Sequence, residues 1–306
     1  AMGAALGLLA GTAVVMAPAW AERVRAPRVY VGPSNEFWNQ HLEPHGQELT
    51  ELSTTIDAVW DTYLEQRRHR SAAGGAGRLR QALTETRELC RYGLRLVPTH
   101  LAMHVRCARL SWELGDIAAT RLHAEAAVAQ LRDAAAAAAS AAPRPLTPAT
   151  PSDAAEALLH LAEVRSVDGQ SQSAEQLYAQ AMASKSALSD DARARWMLHL
   201  MGQGRILDAL DLVKADTRTP TLMWATALAL DRDEQIEARD ALLNHANLAP
   251  LGFYGAEEAA LDVLSSPQRP TEELYARALA HEYSGRLTEA RILWIMYANS
   301  GDRARF

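Results

Sequence analysis

An all-α fold built from helix–turn–helix units is what this sequence predicts, and three observations predict it. A glycine-centred segment recurs: "ELGDIAATRLHA" at 113–124, "VDGQSQSAEQLY" at 167–178, "GQGRILDALDLV" at 202–213 and "YSGRLTEARILW" at 283–294. Composition leans helical, with Ala and Leu dominant, only three phenylalanines and few β-branched runs. Leu49, Leu52, Ile56, Val59 and Tyr63 recur at spacings of three and four, the mark of a one-faced helix.

The chain of 306 residues divides into five stretches. The first, 1–22, carries no charge from Ala1 to Trp20, and as a helix those residues span ~30 Å, about one hydrocarbon core. The expectation is a retained transmembrane anchor. Gly3, Gly7 and Gly11 form G-x-x-x-G-x-x-x-G, a face on which another membrane helix can pack closely. The alternative is a cleaved export signal, because "AWA" at 19–21 resembles a signal-peptidase site. Arg23, Arg25 and Arg28 follow the span, which by the positive-inside tendency holds the remainder on the cytoplasmic side; the periplasmic or lumenal side is the other option.

Residues 23–48 read as an extended linker, punctuated by Gly32 and Pro33, with Phe37 and Trp38 available for docking. Residues 49–133 form a first helical block. The Ala/Pro-rich stretch at 134–153 starts with alanines able to extend the preceding helix. Pro143, Pro145, Pro148 and Pro151 then favour an extended connector. Ser152 or Asp153 is the expected N-cap of the helix that follows. Residues 154–306 form a second helical block, and the connector reads equally as a block boundary or as a surface loop within one array.

Aligned on Gly115, Gly169, Gly204 and Gly285, the repeats place small or medium residues at fixed offsets. Seven before the glycine stand Ala108, Ala162, Met197 and Ala278; five after it stand Thr120, Ala174, Ala209 and Ala290. Nine after it stand Ala124, Tyr178, Val213 and Trp294. The glycine supplies the turn, and the small residues let two helices approach. This pattern resembles the tetratricopeptide repeat, a helix–turn–helix unit of about 34 residues. Gly77 is the expected glycine of an earlier unit. A degenerate unit is expected at 221–243, with Asp233 in place of the glycine and Ala238 and Leu242 in the packing places.

The resemblance implies a TPR-like α-solenoid whose first helices line a groove for a protein partner. Carried onto this chain, the inward places are Val105, Arg109, Trp112, Leu159, Glu163, Leu198, Met201, Tyr275, Leu279 and Glu282, with Trp112 and Tyr275 as anchors. That lining is mostly apolar and suits an amphipathic helix. The chain's own segments are the competing occupant.

Chemistry is sparse in the sequence. No Gly-rich phosphate loop, G-x-S-x-G or H-E-x-x-H motif occurs, and a net charge of −6 argues against nucleic acid. His41 and His45 stand four apart, but Pro44 lies between them and no third metal ligand is evident. Cys90 and Cys107 have no metal or redox spacing and read as buried apolar side chains rather than as a disulfide. The expectation is therefore a non-catalytic scaffold or accessory subunit of a membrane complex, without cofactor or metal. A soluble exported adaptor is the alternative.

Overall fold

The computed structural model describes residues 35–68, 75–139, 150–184, 186–213, 219–245 and 270–300. Among these it contains twelve α-helices and no strand. They are α1 (Asn35–Arg68), α2 (Gly75–Leu96), α3 (Leu101–Glu113), α4 (Ile117–Ala139), α5 (Pro151–Val167) and α6 (Ser171–Ala183). There follow α7 (Ser189–Met201), α8 (Ile206–Asp211), α9 (Pro220–Arg232), α10 (Ile236–His245), α11 (Pro270–Tyr283) and α12 (Leu287–Asn299). The all-α reading holds. The apolar stretch 1–22 and its stripe Gly3, Gly7 and Gly11 lie outside the described residues. Among the described residues no helix is long and apolar enough to cross a membrane.

Consecutive helices pack as hairpins: α1 with α2, α3 with α4, α5 with α6, α7 with α8, α9 with α10 and α11 with α12. The hairpins also lie on one another, α2 on α3, α4 on α5, α6 on α7 and α8 on α9. First helices touch across the row, α1 on α3, α3 on α5, α5 on α7 and α7 on α9.

The recurring glycine makes the hairpin turn. Gly115, Gly169, Gly204 and Gly285 all adopt φ between 74° and 79°, the left-handed region where a Cβ is costly. Each turn closes with the same two bonds. In the first, Gly115 N–H donates to the Trp112 carbonyl at 3.0 Å and Asp116 N–H to the Ser111 carbonyl at 2.9 Å. This Schellman arrangement satisfies the last carbonyls of α3 before α4 begins.

The same geometry recurs between α9 and α10, one residue later than expected. Glu234, at φ 59°, takes the glycine's place, with its N–H donating to Asp231 and Gln235 N–H to Leu230. Two of the packing places move with it, while the place five after the turn falls on the half-buried Arg239. Ala227 and Leu243 are fully buried, whereas Ala238 is exposed and Leu242 only half-buried. Asp233 is thus not the turn residue. Gly77 is not one either: it lies in the first turn of α2.

At the four glycine repeats the packing register holds. Ala108, Ala162, Met197 and Ala278 are fully buried, as are Thr120, Ala174 and Ala209, with Ala290 nearly so. Ala124 and Tyr178 are buried too, while Val213 and Trp294 are half-buried. Among the described residues three apolar clusters result, at α1–α3, α3–α7 and α7–α12, and Trp196 packs against the second and the third. The second cluster holds Ala124 and Val128 of α4 together with Ala157 and Leu161 of α5, so packing continues across the Ala/Pro-rich stretch.

Three local expectations change. Of the stretch expected to be an extended linker, residues 23–34 lie outside the described residues, and the rest is helical from Asn35 onward, through Pro44. The cap of α5 is Thr150, whose Oγ1 accepts from Asp153 N–H at 3.0 Å, with Pro151 at the first helical position, where a missing N–H costs nothing. Finally, Cys90 and Cys107 form a disulfide from α2 to α3. Both are buried, as expected, but their Cα atoms lie 5.7 Å apart, within bonding reach.

Candidate interaction surface

The expected groove residues are inside the molecule. Val105, Trp112, Leu159, Glu163, Leu198, Met201, Tyr275 and Leu279 are all 6% exposed or less. Val105 and Leu159 belong to the second apolar cluster; Leu198, Met201, Tyr275 and Leu279 belong to the third. The reason lies in the row: first helices of successive hairpins touch, so their inward places meet a neighbouring helix instead of an open lining. Of the ten, only Glu282 is exposed, and it accepts from Trp294 Nε1 at 2.8 Å.

Arg109 shows what the polar inward places do. Its guanidinium lies 4.9 Å from the Trp60 ring centroid, donates to Asp57 at 2.6 Å and stands 3.5 Å from Glu156. Arg106 donates to the same Asp57 and lies 3.8 Å from Asp153. His160 stands 3.5 Å from Glu156. Burial pushes the Glu156 carboxyl up, but Arg109, His160 and Arg106 outweigh it and hold the group below its ordinary value. Further along, Tyr178 donates to Glu163 at 3.1 Å and Arg195 lies 3.5 Å from it. These charges tie α1, α3, α5, α6 and α7 together.

One contact has the composition of a nucleophile and base. Ser166 Oγ is 2.7 Å from His199 Nδ1. Gln203 Nε2, however, lies 2.7 Å from His199 Nε2 and donates to it, which leaves the ring proton on Nδ1. His199 then donates to Ser166 and does not activate it. Among the described residues no group of three His, Cys, Asp or Glu is placed to hold a metal; His45 stands 3.5 Å from Glu48.

Among the described residues, α12 carries four of the exposed large apolar side chains. Leu287, Ile292, Ile295 and Met296 are 66%, 54%, 52% and 50% exposed, while Ala290 is 2% exposed. A groove of about 340 Å³ runs beside them, lined by Glu282, Leu287, Ala290, Arg291, Trp294 and Ile295, among others. A helix apolar all round is normally buried on both sides. Along the row, α4 is covered by α5, α6 by α7 and α8 by α9. Among the described residues, the main helix contact of α12 is with α11. Reasoning from the glycine register missed these exposed side chains, although "LTEARILWIMYAN" shows apolar residues on every side of the helix.

Neither a protein-family model nor a curated protein matches this chain.

Proposed function

We propose that this chain is a non-catalytic scaffold, a TPR-like α-solenoid that serves as an accessory or assembly subunit of a larger membrane protein complex. Residues 1–22 anchor it, and its partners are other protein subunits. The observation that carries the reading is the outer face of α12. Four large apolar side chains at least half exposed form a patch of the kind that marks protein interaction sites. The occupant is an amphipathic helix of a partner subunit, since helix-on-helix contact is what every described second helix before α10 makes with the hairpin after it. Glu282 and Arg291 on the groove supply one charge of each sign to fix the incoming helix's register.

The test is a photo-crosslinking residue at Ile295 of the full chain in its own cells. A crosslink mapped to a helix of a second protein, lost in a Leu287→Glu, Met296→Glu variant of unchanged Tm, is the expected result. Crosslinks confined to this chain, within it or to a second copy, would overturn the partner assignment. The soluble exported adaptor is favoured by a different observation, the disulfide. Alkaline carbonate extraction separates the two: an anchored chain stays with the membranes, an exported adaptor is released.

A further inference from the structure

We infer that Cys90 and Cys107 are a substrate pair for a thiol-oxidising partner, and that the described helices therefore mature in an oxidising compartment. The inference rests on the cysteine pair alone and stands whether or not the scaffold reading does. These are the chain's only two cysteines, and they meet across two helices with Cα atoms 5.7 Å apart. Both are fully buried, packed in one cluster with Ile56, Leu83, Met103 and Leu110. Structural disulfides persist in secretory, periplasmic and similar compartments and are rare where glutathione and thioredoxin keep thiols reduced. Placement on the cytoplasmic side, expected from the arginines at 23, 25 and 28, gives way here to the opposite side of the membrane.

The place of the bond in the row gives it a purpose. α2 closes the first hairpin and α3 opens the second, so the bridge crosses between hairpins and not within one. The bridge clamps α2 to α3, and with them the two hairpins.

The buried sulfurs also fix the order of events. Oxidation precedes the docking of α2 on α3, because no partner reaches either sulfur afterwards. One cysteine thiolate attacks the disulfide of a dithiol oxidase and expels one of its thiolates. The second cysteine thiolate attacks the mixed disulfide at this chain's sulfur and expels the other. Each cysteine loses one electron and its thiol proton, and the oxidase disulfide becomes a dithiol. The solvent-free packing then shields the product from reductants.

The experiment is acid quenching of cells that express the full chain, followed by maleimide–polyethylene glycol labelling in denaturant. The expected result is no adduct before reduction and two adducts after it. Two adducts without reduction would overturn the pairing, and oxidised chain recovered in the cytosolic fraction would overturn the compartment. On purified chain, reduction in denaturant followed by refolding under reductant should lower Tm by roughly 5–10 °C, as expected for opening a loop of this size. A Cys90→Ala, Cys107→Ala variant should melt with the reduced protein and ignore reductant. An unchanged wild-type Tm on reduction, verified by labelling, would sink the clamp.

Discussion

His104 Nδ1 lies 3.2 Å from His123 Nδ1, joining the two helices of the α3–α4 hairpin through a single shared proton. The tautomers follow from the other ring nitrogen. His104 Nε2 is 2.9 Å from the Pro98 carbonyl, which only accepts, so His104 carries its proton there and its Nδ1 is a bare acceptor. His123 then donates from Nδ1. His100, one turn before His104, is neutral for another reason: its Nδ1 accepts from Met103 N–H at 3.2 Å as the N-cap of α3.

This arrangement predicts acid lability. Burial, then Arg106, lowers His100 to about 4, with Asp153 opposing; burial, His104 and Arg91 lower His123 to about 4, with Asp116 opposing. His104 is lowered by burial as well. Because the unfolded chain binds these protons more readily, the stability held above pH 6.5 is lost as pH falls toward 4. At pH 5 the loss is on the order of 1–2 kcal/mol for each of the two. Urea midpoints at pH 7.5, 6 and 5 measure it. The variant His100→Asn, His123→Gln keeps a cap acceptor and a donor without titrating, so its slope should be shallower. A flat wild-type profile over this range would refute the assignment.

The packing register makes a contrast between alanines. Ala174 and Ala290 sit against a neighbouring helix and are buried; Ala238 is exposed. Ala174→Leu and Ala290→Leu should each cost roughly 1–3 kcal/mol by overpacking. Ala238→Leu should change stability by less than about 0.5 kcal/mol. Thermal melts of the three variants decide it, and an equal cost at Ala238 would return the α9–α10 turn to Asp233.

The turns give an opposite pair of effects. A Cβ built at Gly169, Gly204 or Gly285 meets nothing within 4 Å, so alanine there suffers only from the left-handed backbone. Each such substitution should cost about 1–2 kcal/mol. At Glu234 the same conformation already carries a side chain, and Glu234→Gly should gain up to about 1 kcal/mol. A destabilised Glu234→Gly would show that the Glu side chain contributes more than its backbone strain costs.

Much of this fold was legible because glycine has few substitutes in a left-handed turn. Four glycines in register imply four turns, and the alanines at fixed offsets imply close helices. Where Glu234 adopts that conformation without being glycine, residue type says nothing, and the register slipped by one. The burial of the groove residues was hidden for a different reason. Its residues were placed by a family's spacing, but whether Val105 or Leu198 faces a partner depends on how closely the first helices approach, a tertiary quantity. The cysteine pair was hidden in the same way, since 17 residues of separation do not reveal a Cα distance.

The last prediction separates core from surface. Tyr275 donates to Asp231, lies under Arg232 and meets the rings of Trp294 and Tyr297 edge-on at 5.3 and 5.5 Å. Trp112 is 4% exposed. Tyr275→Ala and Trp112→Ala should therefore cost about 3–5 kcal/mol each, the range for emptying a large aromatic site. Tyr275→Phe keeps the ring and should cost about 1–2 kcal/mol, since Asp231 retains Arg239. Ile295→Glu, on the outer face of α12, should leave Tm within about 1–2 °C and abolish partner recovery. Chemical denaturation beside quantitative co-purification reads both properties in each variant. If Tyr275→Ala or Trp112→Ala kept full stability and lost only the partner, the inward places would be the binding surface, and α12 would not.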